Sequence, residues 1–94
     1  MSSSLMLNCE QIVIRVVNGE SIKNWEEVLA TALPSGTQPD IRCSHCHGEI
    51  RVHKRHVNHG PRDHVEHLSR QDSESCRGGH YFNGEHRISS QPVT

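Results

Sequence analysis

Ninety-four residues carrying a net charge of −1 make one small domain, and an underfilled one: Leu, Ile, Val and Phe together number 20, with one Trp, one Tyr and one Phe as the only aromatics. A chain this short buries a modest share of its surface, so a composition near the edge of the foldable range calls for a staple beyond the core. No apolar run approaches the ~18 residues of a membrane span, no collagen or coiled-coil pattern is present, and four cysteines and nine histidines point to a metal as the staple.

The first ten residues lack a basic stretch and a sustained apolar run, so they do not read as a secretory signal, and the expected compartment is the reducing cytoplasm. There, closely spaced cysteines serve more often as metal ligands than as disulfides. The charge divides unevenly: residues 1–40 hold five acids against two bases, and residues 41–94 hold eight bases, six acids and all nine histidines.

The β-branched run 12–17 ends at Asn18-Gly19 and reads as a strand closed by a turn. Asn24 followed by Glu27 has the form of a helix N-terminus. Trp25, Val28, Leu29 and Ala32 then recur at helical spacing, so a short helix is expected to stop near Leu33, before Pro34. Beyond the connector 34–40, residues 49–53 alternate, with Ile50 and Val52 on one face. Residues 63–68 return antiparallel, with Val65 and His67 sharing a face and His64 and Glu66 on the other. Residues 69–75 read as polar loop, Gly78-Gly79 as a turn, and 89–94 as a tail with nothing to order it. The expected architecture is α+β: small zinc-ribbon-like antiparallel β-hairpins with one short N-terminal helix, in a single domain over 1–94 (strand plus helix 11–33, ribbon 41–88).

Cys43-Ser44-His45-Cys46-His47-Gly48 is the most informative stretch. Two thiolates two residues apart can grip one tetrahedral ion, and the glycine after them eases the left-handed turn of such a knuckle. Cys76 supplies a third ligand. The pleat argument selects His67 over His64 as the fourth, giving a structural zinc site of Cys43, Cys46, His67 and Cys76. Three other readings of the cysteines carry less weight. Haem attachment at Cys43-x2-Cys46-His47 would need export and apolar packing around a large ring. A thioredoxin-like pair would need a helix opening at Cys43, and an all-thiolate shell would need Cys9, which precedes the first strand. A shell of three thiolates and one imidazole is closed and electron-rich, which favours a structural over a catalytic ion.

The combination of Gly19-Glu20-Ser21-Ile22, Ile41-Arg42-Cys43-x2-Cys46-His47-Gly48, Ile50-x-Val52-His53 and Asp63-His64-Val65-Glu66-His67 ahead of Cys76 resembles a bacterial zinc-ribbon module. It is similar to the N-terminal region of competence proteins of the CoiA type, over residues 19–76. The sequence departs from that pattern with His47 before the glycine and Val65 where an aromatic is usual. In that family the ribbon resembles an accessory to a downstream nuclease domain; these 94 residues hold no such domain, so nuclease activity is not carried over.

The function expected is a non-catalytic zinc-binding module that contacts a macromolecule. Its partner would be a protein, or weakly a nucleic acid, met through the hairpin 51–62 with Arg51, His53, Lys54, Arg55, His56 and Arg62. Two rivals are a metal-buffering or sensing protein whose surplus histidines bind a second ion, and a small metal-dependent nuclease built on Asp63, His64, His80 and His86. No membrane role is expected.

Overall fold

The computed structural model describes residues 5–55 and 57–94; His56, placed above in the basic hairpin, lies outside the described residues. Its dominant element is a long hairpin. Strand β1 (Asn8–Val17) pairs antiparallel with β2 (Glu20–Leu29) over ten residues, from Asn8 opposite Leu29 to Val17 opposite Glu20. The two residues between them, Asn18 (φ 53°) and Gly19 (φ 81°), both adopt left-handed conformations. A type I′ turn demands this, and an Asn-Gly pair supplies it at little cost.

The α+β expectation is therefore corrected: the protein is sheet-dominated, with two three-stranded antiparallel sheets. The helix expected over 24–33 is instead the second half of β2, followed by one 3-10 turn at Ala30–Ala32. The reason is a contest between local and longer-range signals. A turn that fixes the hairpin register aligns residues 20–29 with a β-branched partner, and ten paired residues outweigh one helix cap and a four-residue apolar stripe.

Strand β4 (Ile41–Arg42) adds to the other edge of β1, opposite Gln11 and Glu10, and completes the order β2-β1-β4. Arg42 secures this junction. Its Nε donates to Glu10 Oε1 at 2.7 Å, and its guanidinium lies 3.9 Å from the centroid of the Trp25 ring. The second sheet has the order β3-β5-β6, built from β3 (Gly36–Thr37), β5 (Ile50–His53) and β6 (His64–His67). The alternation expected for β5 is observed, with Ile50 and Val52 buried and Arg51 exposed; Ile50 faces His67 and Val52 faces Val65 across the pair.

Two further segments differ from expectation. Residues 70–75 form a one-turn helix, α1 (Arg70–Ser75), capped by the Ser69 hydroxyl, which accepts from Asp72 N at 3.0 Å. The last residues fold back: Ser89 N donates to the Cys46 carbonyl at 2.8 Å, and Val93 N to the His47 carbonyl at 2.7 Å. The buried Ser89 hydroxyl donates to Asp72 Oδ2 at 2.9 Å.

The core lies where the two sheets meet: Met6, Cys9, Ala30, Leu33, Ile41, Ile50, Val52 and Val65, together with Cys43, Cys46 and Cys76. Only four large aliphatic side chains in it are almost wholly buried, each worth roughly 1.5–3 kcal/mol. Among the described residues, no helix is long and apolar enough to cross a membrane.

Candidate metal centre

Three separate segments deliver the candidate ligands. The first is the turn between β4 and β5, where Cys43 N donates to the Gly48 carbonyl and His47 N to the Cys43 carbonyl, both at 3.0 Å. The left-handed residue of this knuckle is His47 (φ 65°), and not Gly48 as expected from the sequence. Gly48 is required for another reason: a β-carbon there would collide with the Asp72 carboxylate and press on Ser89. The second segment is β6, whose pleat turns His67 to the side of Val65. The third follows α1, where Gly79 N donates to the Cys76 carbonyl at 2.8 Å, and a β-carbon on Gly79 would run into the Ser73 backbone.

These segments bring the ligand atoms of Cys43, Cys46, His67 and Cys76 within 4.8 Å of one another. Cys43 Sγ and Cys76 Sγ are 3.7 Å apart, although 33 positions separate them in sequence. A tetrahedral ion with sulfurs at ~2.3 Å would set them about 3.8 Å apart. Backbone amides converge on the sulfurs in a repeated manner. His45 N points to Cys43 Sγ, Gly48 N to Cys46 Sγ and Gly78 N to Cys76 Sγ, each at 3.4 Å and each two residues beyond its cysteine. Donors aimed at sulfur favour thiolate over thiol.

The electrostatics point the same way. Hydrogen bonds from Cys46 and Cys76 hold the Cys43 thiol far below its ordinary pKa, whereas the nearness of Cys43 and Cys76, with burial, pushes Cys46 far above it. Neighbouring sulfurs this close cannot all carry uncompensated charge; a cation among them removes the conflict. At His67, burial disfavours the imidazolium, but the neighbouring Cys43 and Cys76 sulfurs outweigh it and raise the pKa to about 9. His67 Nε2 is buried and has no hydrogen-bond partner among the described residues. Leaving a buried ring nitrogen unpaired costs about 1–3 kcal/mol, so this atom also calls for a ligand.

The other sequence candidates are placed elsewhere. Cys9 is fully buried in the core but lies outside the four-residue group; its thiol is raised to about 11, chiefly by burial. All four cysteines are free of disulfides. His64, the alternative fourth ligand, points away from the sulfurs and joins a separate group with His53 and Glu66. Asp63, His64, His80 and His86 are not gathered into one ligand group among the described residues. Asp63 accepts from Arg55 N and pairs with Lys54, while His86 Nδ1 accepts from Arg77 N. In the basic hairpin, Lys54 turns inward, and its Nζ reaches the carbonyls of Ala30 and Thr31 at 3.2 and 3.1 Å.

Two features, one at this centre and one beside it, escaped the sequence reading. Met6 places Sδ 3.9 Å from Cys43 Sγ, and nothing in its sequence context signals that contact. The His53–His64–Glu66 group was readable in principle, because β-alternation puts His64 and Glu66 on one face and the hairpin register sets His53 beside His64.

A protein-family model matches residues 3–94 of the chain. An uncharacterized protein of Azorhizobium caulinodans is 40% identical over 74 residues, covering 76% of this chain and 80% of its own length. No solved structure matches. The chain belongs to the family that this model and this relative define.

Proposed function

We propose that this chain, as a member of that family, is a non-catalytic zinc module in which Cys43, Cys46, His67 and Cys76 hold one structural ion. The observation that carries the reading is the convergence, from three chain segments, of three sulfurs and one imidazole whose buried Nε2 has no hydrogen-bond partner among the described residues. Donors of this softness select zinc over magnesium or calcium, and four protein ligands leave no open position for substrate. The likeness of residues 19–76 to the CoiA-type ribbon is in keeping with the same reading of the module.

The ion's role follows from what its ligands join. They fasten the knuckle, β6 and the loop after α1, in a region whose strands are two to four residues long. Free energies of binding for structural zinc are of order 10 kcal/mol, larger than any single packing contact available here.

For the macromolecular contact, protein is the better partner than nucleic acid. The net charge is −1, and Lys54 spends its charge on Asp63 and two carbonyls. The hairpin 51–62 therefore offers less phosphate-binding charge than its count of bases suggests. Elemental analysis of purified protein, with spectra recorded before and after chelation, tests the zinc reading. Bound zinc whose removal abolishes the dispersed amide spectrum supports it, and a metal-free, fully folded protein contradicts it. Titration of labelled duplex and single-stranded DNA at low salt tests the partner, with no binding expected.

A further inference from the structure

A second group of donors lies on the opposite face of β6. His64 is 6% exposed, and both of its ring nitrogens are engaged: Nδ1 lies 2.6 Å from the Arg62 carbonyl and Nε2 lies 2.8 Å from Glu66 Oε2. A carbonyl only accepts, so Nδ1 must carry the hydrogen. In the neutral ring, Nε2 then presents its lone pair to a carboxylate oxygen at contact distance. Two acceptors facing each other in this way require positive charge between them.

A proton would satisfy that pair alone. A third nitrogen converges on the same carboxylate: His53 Nε2 stands 3.7 Å from the other Glu66 oxygen. The two imidazoles are stacked, with centroids 5.1 Å apart and planes 11° from parallel, so both rings present their nitrogens to the same carboxylate. The donor atoms of all three residues lie within 4.8 Å of one another. The bond from His64 Nδ1–H to a backbone carbonyl is the outer contact that usually fixes the tautomer and orientation of a metal-binding histidine. Beside the group is an open groove of about 450 Å³ lined by His64, Glu66, Arg70, His80 and Tyr81, with room for water to complete a coordination shell.

We propose that His53, His64 and Glu66 form a second divalent-metal site, selective for first-row transition ions and weaker than the cysteine centre. Two imidazoles and one carboxylate suit zinc, cobalt, nickel or copper rather than magnesium or calcium. Affinity is lower than at the thiolate site because only three protein donors are present, and His53 and Glu66 face solvent in part. The inference does not depend on what the cysteine centre binds.

Cobalt(II) titration of the full chain separates the two sites. Thiolate ligation gives intense charge-transfer absorption, whereas nitrogen and oxygen ligation gives only weak d–d bands. The charge-transfer signal is expected to saturate with the first equivalent. A second equivalent is then expected to bind without adding to that signal, while broadening the ring resonances of His53 and His64. His53→Ala and Glu66→Gln, both at partly exposed positions, are each expected to weaken the second event at least ~10-fold. The charge-transfer signal of the first event should be unchanged in both, which verifies that the variants are folded. Cobalt binding accounted for wholly by the charge-transfer signal, with no event that perturbs His53 and His64, would overturn the proposal. So would a second equivalent that binds both variants as well as the parent, because it would then sit on other histidines.

Discussion

The hairpin of β1 and β2 and the ribbon of β5 and β6 are both antiparallel pairs, yet they are held by different means. The first has ten residues in each strand and a turn whose two residues match its geometry, while its far half leaves Ile14, Val16, Val17 and Ile22 exposed. The second has four residues in each strand, with Ile50, Val52 and Val65 almost wholly buried, and borders the cluster of Cys43, Cys46, His67 and Cys76. A long ladder sets its own register from a tight turn. A short one joined by the loop 54–63 does not, and depends on cross-links from outside the pair. The candidate metal centre belongs to the region whose backbone pairing is least able to stand alone.

Breaking the centre should have the largest effect. Cys43→Ser, Cys46→Ser or Cys76→Ser is each expected to abolish tight metal binding and with it folding of the ribbon, since a binding energy of order 10 kcal/mol is lost. Metal content and amide dispersion of each variant are the measurements. His67→Ala ranks next. It leaves the three thiolates, so metal is retained more weakly, by more than the ~10–100-fold that loss of an outer-shell partner costs. His64→Ala should leave the cysteine centre's affinity in place.

Cys9→Ser sharpens the distinction between core and centre. The residue is wholly buried among apolar groups and outside the ligand set, so a hydroxyl there is expected to cost about 1–3 kcal/mol of stability with no change in metal stoichiometry. Gly19→Ala probes the hairpin alone. A β-carbon meets nothing within 4 Å, so only the left-handed backbone (φ 81°) opposes it, at a cost of ~1–2 kcal/mol and with the metal centre untouched. Denaturant melts paired with metal analysis place both variants on this scale.

Much of the centre was legible because it depends on short local spacings. The Cys43-x2-Cys46 spacing marks a knuckle, and the pleat puts His67 with Val65 and His64 with Glu66, as the structure places them. The N-terminal region misled because its signals conflict. Asn24, Glu27 and the stripe from Trp25 to Ala32 favour a helix locally, whereas Asn18-Gly19 demands a strand on both of its sides. A type I′ turn next to a β-branched run was the stronger signal, since it commits the partner strand as well. The pattern Ser69-x2-Asp72 announced α1 by its cap and passes easily for polar loop. The return of Ser89 and Val93 to the knuckle had no signature, because backbone hydrogen bonds to Cys46 and His47 do not depend on side-chain type.

Amide hydrogen exchange on the purified protein, with and without a strong chelator, tests most directly whether a metal holds the ribbon. Protection of β5, β6 and the knuckle is expected only in the metal-bound form, and its loss should coincide with release of zinc. The exposed far end of the hairpin, residues 14–21, should exchange rapidly in both forms. Ribbon amides that stay protected after the metal is gone would contradict the account.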